Sequence, residues 1–140
     1  MQIRDVMTKD VWSLGPEATV AEAAQAMRDM NVGSIPLVDG DQLVGVITDR
    51  DIVIQVVAEG LDAQTERIES FMTRDPITAT PDTSVEEASQ IMAREQIRRL
   101  PVVEDGRLVG YLAIADLALL DKDRQVGDAL EQISQPFGTL

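Results

Sequence analysis

The feature that most constrains this chain is an internal repeat. Residues 6–52 lie over residues 71–117 without a gap, at an offset of 65. Met7-Thr8 falls on Met72-Thr73, Pro16 on Pro81, Val20 on Val85, Glu22-Ala23 on Glu87-Ala88 and Met27 on Met92. Further on, Pro36 falls on Pro101, Leu43-Val44-Gly45 on Leu108-Val109-Gly110 and Asp51 on Asp116. A solenoid stacks several repeats of ~20–50 residues to bury a continuous core. Two longer copies are better closed against each other.

Each copy reads as β-α-β-β-α. Thr19-Val20-Ala21-Glu22 and Ser84-Val85-Glu86-Glu87 have the form of capping boxes, a hydroxyl at the N-cap and a carboxylate three residues on. Behind them run apolar stripes at helical spacing, Val20, Ala23, Ala24, Met27 and Met30 in one copy, Val85, Ala88, Ile91 and Met92 in the other. Short apolar runs follow, Ile35-Pro36-Leu37-Val38 and Leu100-Pro101-Val102-Val103. The Pro near each start fits a position where no ladder donor is needed. Asp39-Gly40-Asp41 and Glu104-Asp105-Gly106 mark hairpin turns. Return strands from Leu43 and Leu108 lead to second helices near Asp49 and Ile114. The organisation expected is a first repeat over 6–58, a linker over 59–70 with a short helix from Thr65, a second repeat over 71–120, and a C-terminal flank over 121–140 with a short helix over 126–134.

Composition narrows the chemistry. The chain has neither Cys nor His, which removes disulfides, thiolate nucleophiles, Ser-His-Asp triads and the zinc sites that use those residues. It has no P-loop and no carboxylate pair at a recognisable catalytic spacing, so an enzyme is not expected. The net charge of −13 repels nucleic acid and anionic membrane, and no apolar run approaches a membrane span of ~20 residues. The start, Met1-Gln2-Ile3-Arg4-Asp5, has no signal-peptide character, and a cytoplasmic protein is expected. An anionic ligand would need a local basic spot, which Arg98-Arg99 supplies.

The paired motifs resemble those of the tandem CBS-domain pair, also called the Bateman module. The family's marks are an M-T start, an h-P-V strand and a closing G-h-h-T-x-x-D. Here they stand as Val6-Met7-Thr8, Ile35-Pro36-Leu37-Val38 and Gly45-Val46-Ile47-Thr48-Asp49-Arg50-Asp51. In the second copy they are Phe71-Met72-Thr73, Leu100-Pro101-Val102-Val103 and Gly110-Tyr111-Leu112-Ala113-Ile114-Ala115-Asp116. With nothing beyond the pair, the chain resembles the stand-alone bacterial members. The resemblance implies an α+β fold, two β-α-β-β-α repeats packed about a pseudo-twofold axis, with two clefts that can hold AMP, ADP, ATP, NAD or S-adenosylmethionine and with no required cofactor. It also implies a homodimer and a protein partner that reads the ligand state. By the same resemblance, one cleft draws on Thr48, Asp51 and Val46 with Ile77, Arg98 and Arg99 from the other copy. The second draws on Asp116 with Trp12, Gly33 and Ser34, but has Ala113 where Thr48 has its hydroxyl and no cation where Arg98-Arg99 stand.

A carboxylate accepts hydrogen bonds from both ribose hydroxyls, the free amides of a helix start favour anions, and an Arg fork suits phosphate. The first cleft is therefore expected to be the better nucleotide site. The same residues carry a plainer reading. Thr48 or Asp49 can be an N-cap, Asp51 can favour the helix dipole, and Arg98-Arg99 can be solvated charge. A ligand-free structural or protein-interaction dimer is the alternative function.

Overall fold

A computed structural model describes residues 1–120; the flank over 121–140 and the helix expected at 126–134 lie outside the described residues. The chain divides into two compact units. The first contains Trp12–Pro76 with Gly106–Leu108, and the second contains Met1–Val11, Ile77–Asp105 and, of the described residues, Val109–Leu120.

In the first unit, α1 (Val20–Met30) starts on a complete capping box: Thr19 Oγ1 accepts the Glu22 N–H and the Glu22 carboxylate accepts the Thr19 N–H, each at 3.1 Å. It ends on Asn31 in the left-handed conformation, φ +56°, which an Asn tolerates better than most side chains. Val20, Ala21, Ala23 and Met27 are buried, while Ala24 and Met30 of the expected stripe face solvent. Two strands follow, β1 (Ser34–Asp39) and β2 (Gln42–Thr48), paired antiparallel across Gly40 at φ +68°. Leu14 takes the other edge of β1, accepting from Val38 N–H at 2.9 Å and donating to Pro36 O at 3.2 Å. Pro36 thus offers that edge only the carbonyl it has. The second helix does begin at Asp49, but only α2 (Asp49–Ile52) is α-helical. Val53–Val57 is a π-turn, with Ala58 N–H reaching Val53 O at 2.9 Å. The helix expected from Thr65 is a 3₁₀ turn, Ile68–Ser70.

The last strand of the first unit is β3 (Thr73–Arg74), antiparallel to β2 with Thr73 opposite Val46 and Arg74 opposite Gly45. In the second unit, Thr8 and Tyr111 exchange backbone bonds, both 2.9 Å. Each repeat's Met-Thr segment therefore completes the unit built mainly from the other repeat. A Cβ at Gly45 would lie 2.8 Å from Thr73 O and 2.5 Å from Met72 Sδ, and one at Gly110 would meet Met7. The Met-Thr and Val-Gly marks are thus physical partners, exchanged between copies.

The second unit repeats the plan with α3 (Val85–Glu95), β4 (Arg99–Glu104), β5 (Arg107–Ala113) and α4 (Ile114–Leu120). Its capping box is half formed: Ser84 Oγ accepts the Glu87 N–H at 3.0 Å without a returning carboxylate bond. Asp105 and Gly106 both have positive φ, +53° and +80°, the pair of values a tight hairpin turn requires. The two cores keep the 65-residue register. Ile68, Val20, Ala23, Met27, Ile35, Leu37, Ile47 and Ile52 in one match Ile3, Val85, Ala88, Met92, Leu100, Val102, Leu112 and Leu117 in the other.

Candidate functional site

Thr48 closes β2 and N-caps α2, and Asp51 is the third residue of that turn. Thr48 Oγ1 accepts the Asp51 N–H at 3.1 Å, and Asp51 Oδ2 accepts the Thr48 N–H at 3.0 Å. The pair is a full capping box, so Asp51 has a structural role beyond the helix dipole, one that its spacing from Thr48 signals as Thr19 and Glu22 do. Gln55 approaches its other oxygen, Oδ1, at 3.4 Å.

The amides of this helix start are already taken. Asp49 N–H donates to Gly33 O at 2.9 Å, Arg50 N–H to Asp49 Oδ1 at 2.8 Å, and Asp51 N–H to Thr48 Oγ1. The free amides expected to favour an anion are therefore not available here.

Ser34 pairs with Thr48 across the β1–β2 ladder, next to Gly33. The first unit thus gathers Thr48 and Asp51, expected for one cleft, beside Gly33 and Ser34, expected for the other, at one end of the hairpin. Val46 is half-buried in β2, opposite Pro36 and Thr73. Trp12 is 47% exposed.

The second unit carries the twin arrangement with different chemistry. Ala113 N–H donates to Asp116 Oδ2 at 3.0 Å, the returning half of a capping box whose hydroxyl half is missing. Ile114 N–H donates to Arg98 O at 2.8 Å, as Asp49 does to Gly33. Arg98 is exposed and Arg99 half-buried at the start of β4, and among the described residues neither is paired with a carboxylate. Ile77, the twin of Trp12, is 44% exposed.

One residue escaped the motif reading. Asp49 stands where the second copy has Ile114, and its carboxylate lies against Gly33. The offset comparison contained this mismatch, but a residue inside the x-x of T-x-x-D draws no notice. A cavity of about 440 Å³ in the second unit is lined by Arg4, Asp5, Met7, Lys9, Pro81, Glu104 and Val109, none of them an expected ligand residue. No group of three or more acidic residues among the described residues is placed to hold a metal ion. No helix among them is long and apolar enough to cross a membrane.

The family model of the CBS domain matches residues 3–58 and again 68–123. The chain belongs to the CBS-domain family. It is a tandem CBS pair, and both matches begin at the twin core residues Ile3 and Ile68. The CBS domain-containing protein YhcV of Bacillus subtilis is 42% identical over 133 residues, covering 94% of each chain. Among solved structures, the CBS domain pair of protein MJ0100, in complex with 5′-methylthioadenosine and S-adenosyl-L-methionine, superposes with a TM-score of 0.76 at 31% identity. That match covers 86% of this chain and 94% of the other. CBSX2 in complex with AMP gives a TM-score of 0.75 at 25% identity, over 84% of this chain and 93% of the other.

Proposed function

We propose that this CBS pair is a regulatory module that binds an adenine nucleotide or related adenosyl ligand, and that ligand occupancy shifts the pair between states read by a partner protein. Solved CBS pairs similar to it hold AMP, or 5′-methylthioadenosine and S-adenosylmethionine. The observation that carries the reading here is Arg98-Arg99: two cations without a carboxylate partner among the described residues, in a chain of net charge −13. Adjacent guanidinium groups left unpaired in so acidic a chain suit an anionic ligand.

In this reading Asp51, Thr48 and Val46 take the ribose, while Ile77 packs on the base and Arg98 and Arg99 take the phosphates. The capping box does not compete with ribose. Each carboxylate oxygen has two lone pairs, and Asp51 Oδ1 is held only by the long contact from Gln55. Trp12, Gly33, Ser34 and Asp116 form the weaker nucleotide site. The complete capping box supports a second reading, a ligand-free interaction module in which Thr48 and Asp51 only start a helix.

Thermal unfolding with AMP, ADP, ATP, NAD and S-adenosylmethionine separates the two. A ligand at about 100 times its Kd adds ~2.7 kcal/mol to stability, and Asp51→Ala abolishes most of that gain. No shift with any compound would leave only the interaction module. Arg99→Ala weakens AMP more than adenosine, measured by calorimetry, and equal losses would remove Arg99 from the phosphate role. Asp116→Ala costs less AMP affinity than Asp51→Ala.

The module also pairs with a second copy of itself. In the first unit Val53, Ile54 and Val57 are 57%, 46% and 64% exposed, on a stretch with no charged residue from Ile52 to Ala58, and Leu61, beyond Glu59, is 42% exposed. An isologous contact buries such a face on both partners at once.

A further inference from the structure

Between Asp51 and Glu59 the chain reads Ile52-Val53-Ile54-Gln55-Val56-Val57-Ala58, so Gln55 is the one hydrogen-bonding side chain in an aliphatic run. It stands in the π-turn Val53–Val57, a rare departure from α-geometry that frequently occurs at functional sites. Gln55 Nε2 donates to Asp51 Oδ1 at 3.4 Å, across the four-residue spacing that brings two side chains to one face of a helix. The offset of 65 residues puts Leu120 opposite Gln55, as it puts Ala113 opposite Thr48. Asp51 therefore has a hydroxyl residue three places before it and an amide residue four places after it, and Asp116 has neither at the matching positions.

A ribose presents two neighbouring hydroxyls, and each needs an acceptor when it leaves water. Asp51 Oδ2 is turned to the Thr48 N–H at 3.0 Å, where it closes the capping box. Oδ1 holds the Gln55 amide on one lone pair, which leaves the other for one hydroxyl. Thr48 Oγ1 accepts the Asp51 N–H at 3.1 Å and has its own proton to give, so it meets a ribose oxygen as a donor. The second acceptor is on Gln55. With its nitrogen turned to Asp51, the amide holds its oxygen, Oε1, clear of the carboxylate, and Oε1 has no partner among the described residues. The bond to Asp51 also restrains an exposed side chain, which lowers the entropy lost when a ligand orders it. All of these groups lie in the first unit, and no main-chain amide is required of them.

We infer that Gln55 is a specificity residue for the ribose: Asp51 Oδ1 takes one of the 2′ and 3′ hydroxyls and Gln55 Oε1 takes the other, so that the module selects adenosyl ligands with both hydroxyls free. The inference rests on the adenosyl-binding reading above and deepens its ribose half. A sugar that lacks either hydroxyl leaves one of the two acceptors unpaired, and a 2′-phosphate brings an anion against the Asp51 carboxylate.

Calorimetric titration with AMP, 2′-deoxy-AMP and 3′-deoxy-AMP tests it, in the unaltered chain and in Gln55→Ala. The unaltered chain is expected to bind each deoxy compound about fivefold or more weaker than AMP, the usual loss for one hydrogen bond. In Gln55→Ala, AMP weakens by about fivefold and the penalty for one of the two deoxy compounds falls to within about twofold, while the other penalty, set by Asp51, stays. A side chain that only steadies the helix lowers all three affinities alike, so the ratio is the readout, and circular dichroism checks that the exposed substitution leaves the fold intact. Two unchanged penalties in Gln55→Ala, or an unaltered chain that binds all three compounds equally, overturns the inference and leaves the nucleotide reading standing. Loss of both penalties together, or of AMP binding altogether in a folded Gln55→Ala chain, overturns the division of the hydroxyls between Asp51 and Gln55. If the unaltered chain binds no adenosyl compound, the inference and the reading it rests on both fall.

Discussion

Asp51 closes a capping box with Thr48, whereas Asp116 closes only the returning half because Ala113 has no hydroxyl to accept the second bond. The same carboxylate at twin positions therefore does different amounts of structural work. Thr48→Ala is expected to cost about 1 kcal/mol of stability, the usual loss for an N-cap hydroxyl. Ala113→Thr is expected to add ~0.5–1 kcal/mol, because the Asp116 partner is already in place. Urea denaturation at fixed m-value reads both changes, and a destabilised Ala113→Thr chain would show that the twin geometry does not extend to that residue. Under the proposed nucleotide reading, ligand affinity responds separately, since the cap uses Asp51 Oδ2 and leaves Oδ1 for the ribose.

Among the elements, the exchanged Met-Thr segments set the architecture. Gly45 admits Met72 and the Thr73 carbonyl against β2, and Gly110 admits Met7 against β5. Gly45→Ala forces a Cβ to within 2.8 Å of a backbone oxygen that cannot swing aside, and should cost ~1–3 kcal/mol. Met72→Ala removes the flexible half of the clash, so the double variant is expected to be less destabilised than the sum of the singles, with a coupling of ~0.5 kcal/mol or more. Strict additivity in urea unfolding would mean that the methionine does not press on Gly45. The π-turn Val53–Val57 sets a second element apart from its twin. It keeps Val56 fully buried while Val53, Ile54 and Val57 face outward.

For the whole molecule, charge and the apolar helix face act against each other. A net charge of −13 per chain repels a second copy, and the uncharged face from Ile52 to Ala58 is where apolar burial can outweigh that repulsion. Association should therefore tighten with salt as the repulsion is screened. Val57→Glu places a carboxylate on the most exposed apolar side chain of that face and is expected to give a monomer with an unchanged fold. Sedimentation velocity at low and high salt, with circular dichroism as the control for folding, checks both. A Val57→Glu chain that remains dimeric would move the contact elsewhere.

Taken alone, the sequence determines the duplication, the α+β class, the hairpins and most of both cores, because buried aliphatic positions must recur at the offset for the same unit to form twice. It also exposes the unequal chemistry of the two copies, since Thr48 against Ala113 and Arg98-Arg99 against Gly33-Ser34 are differences of residue type. Only the tertiary structure decides which segments belong together. Nothing local in Met7-Thr8 says that it pairs beside Gly110 rather than Gly45, because strand partners are chosen by contacts far apart in the chain. Nor does the sequence show that the amides of α2 are already occupied, or that the Asp49 carboxylate rests on Gly33. Those are matters of which hydrogen bond a polar group makes among several within reach, and the packed backbone settles them.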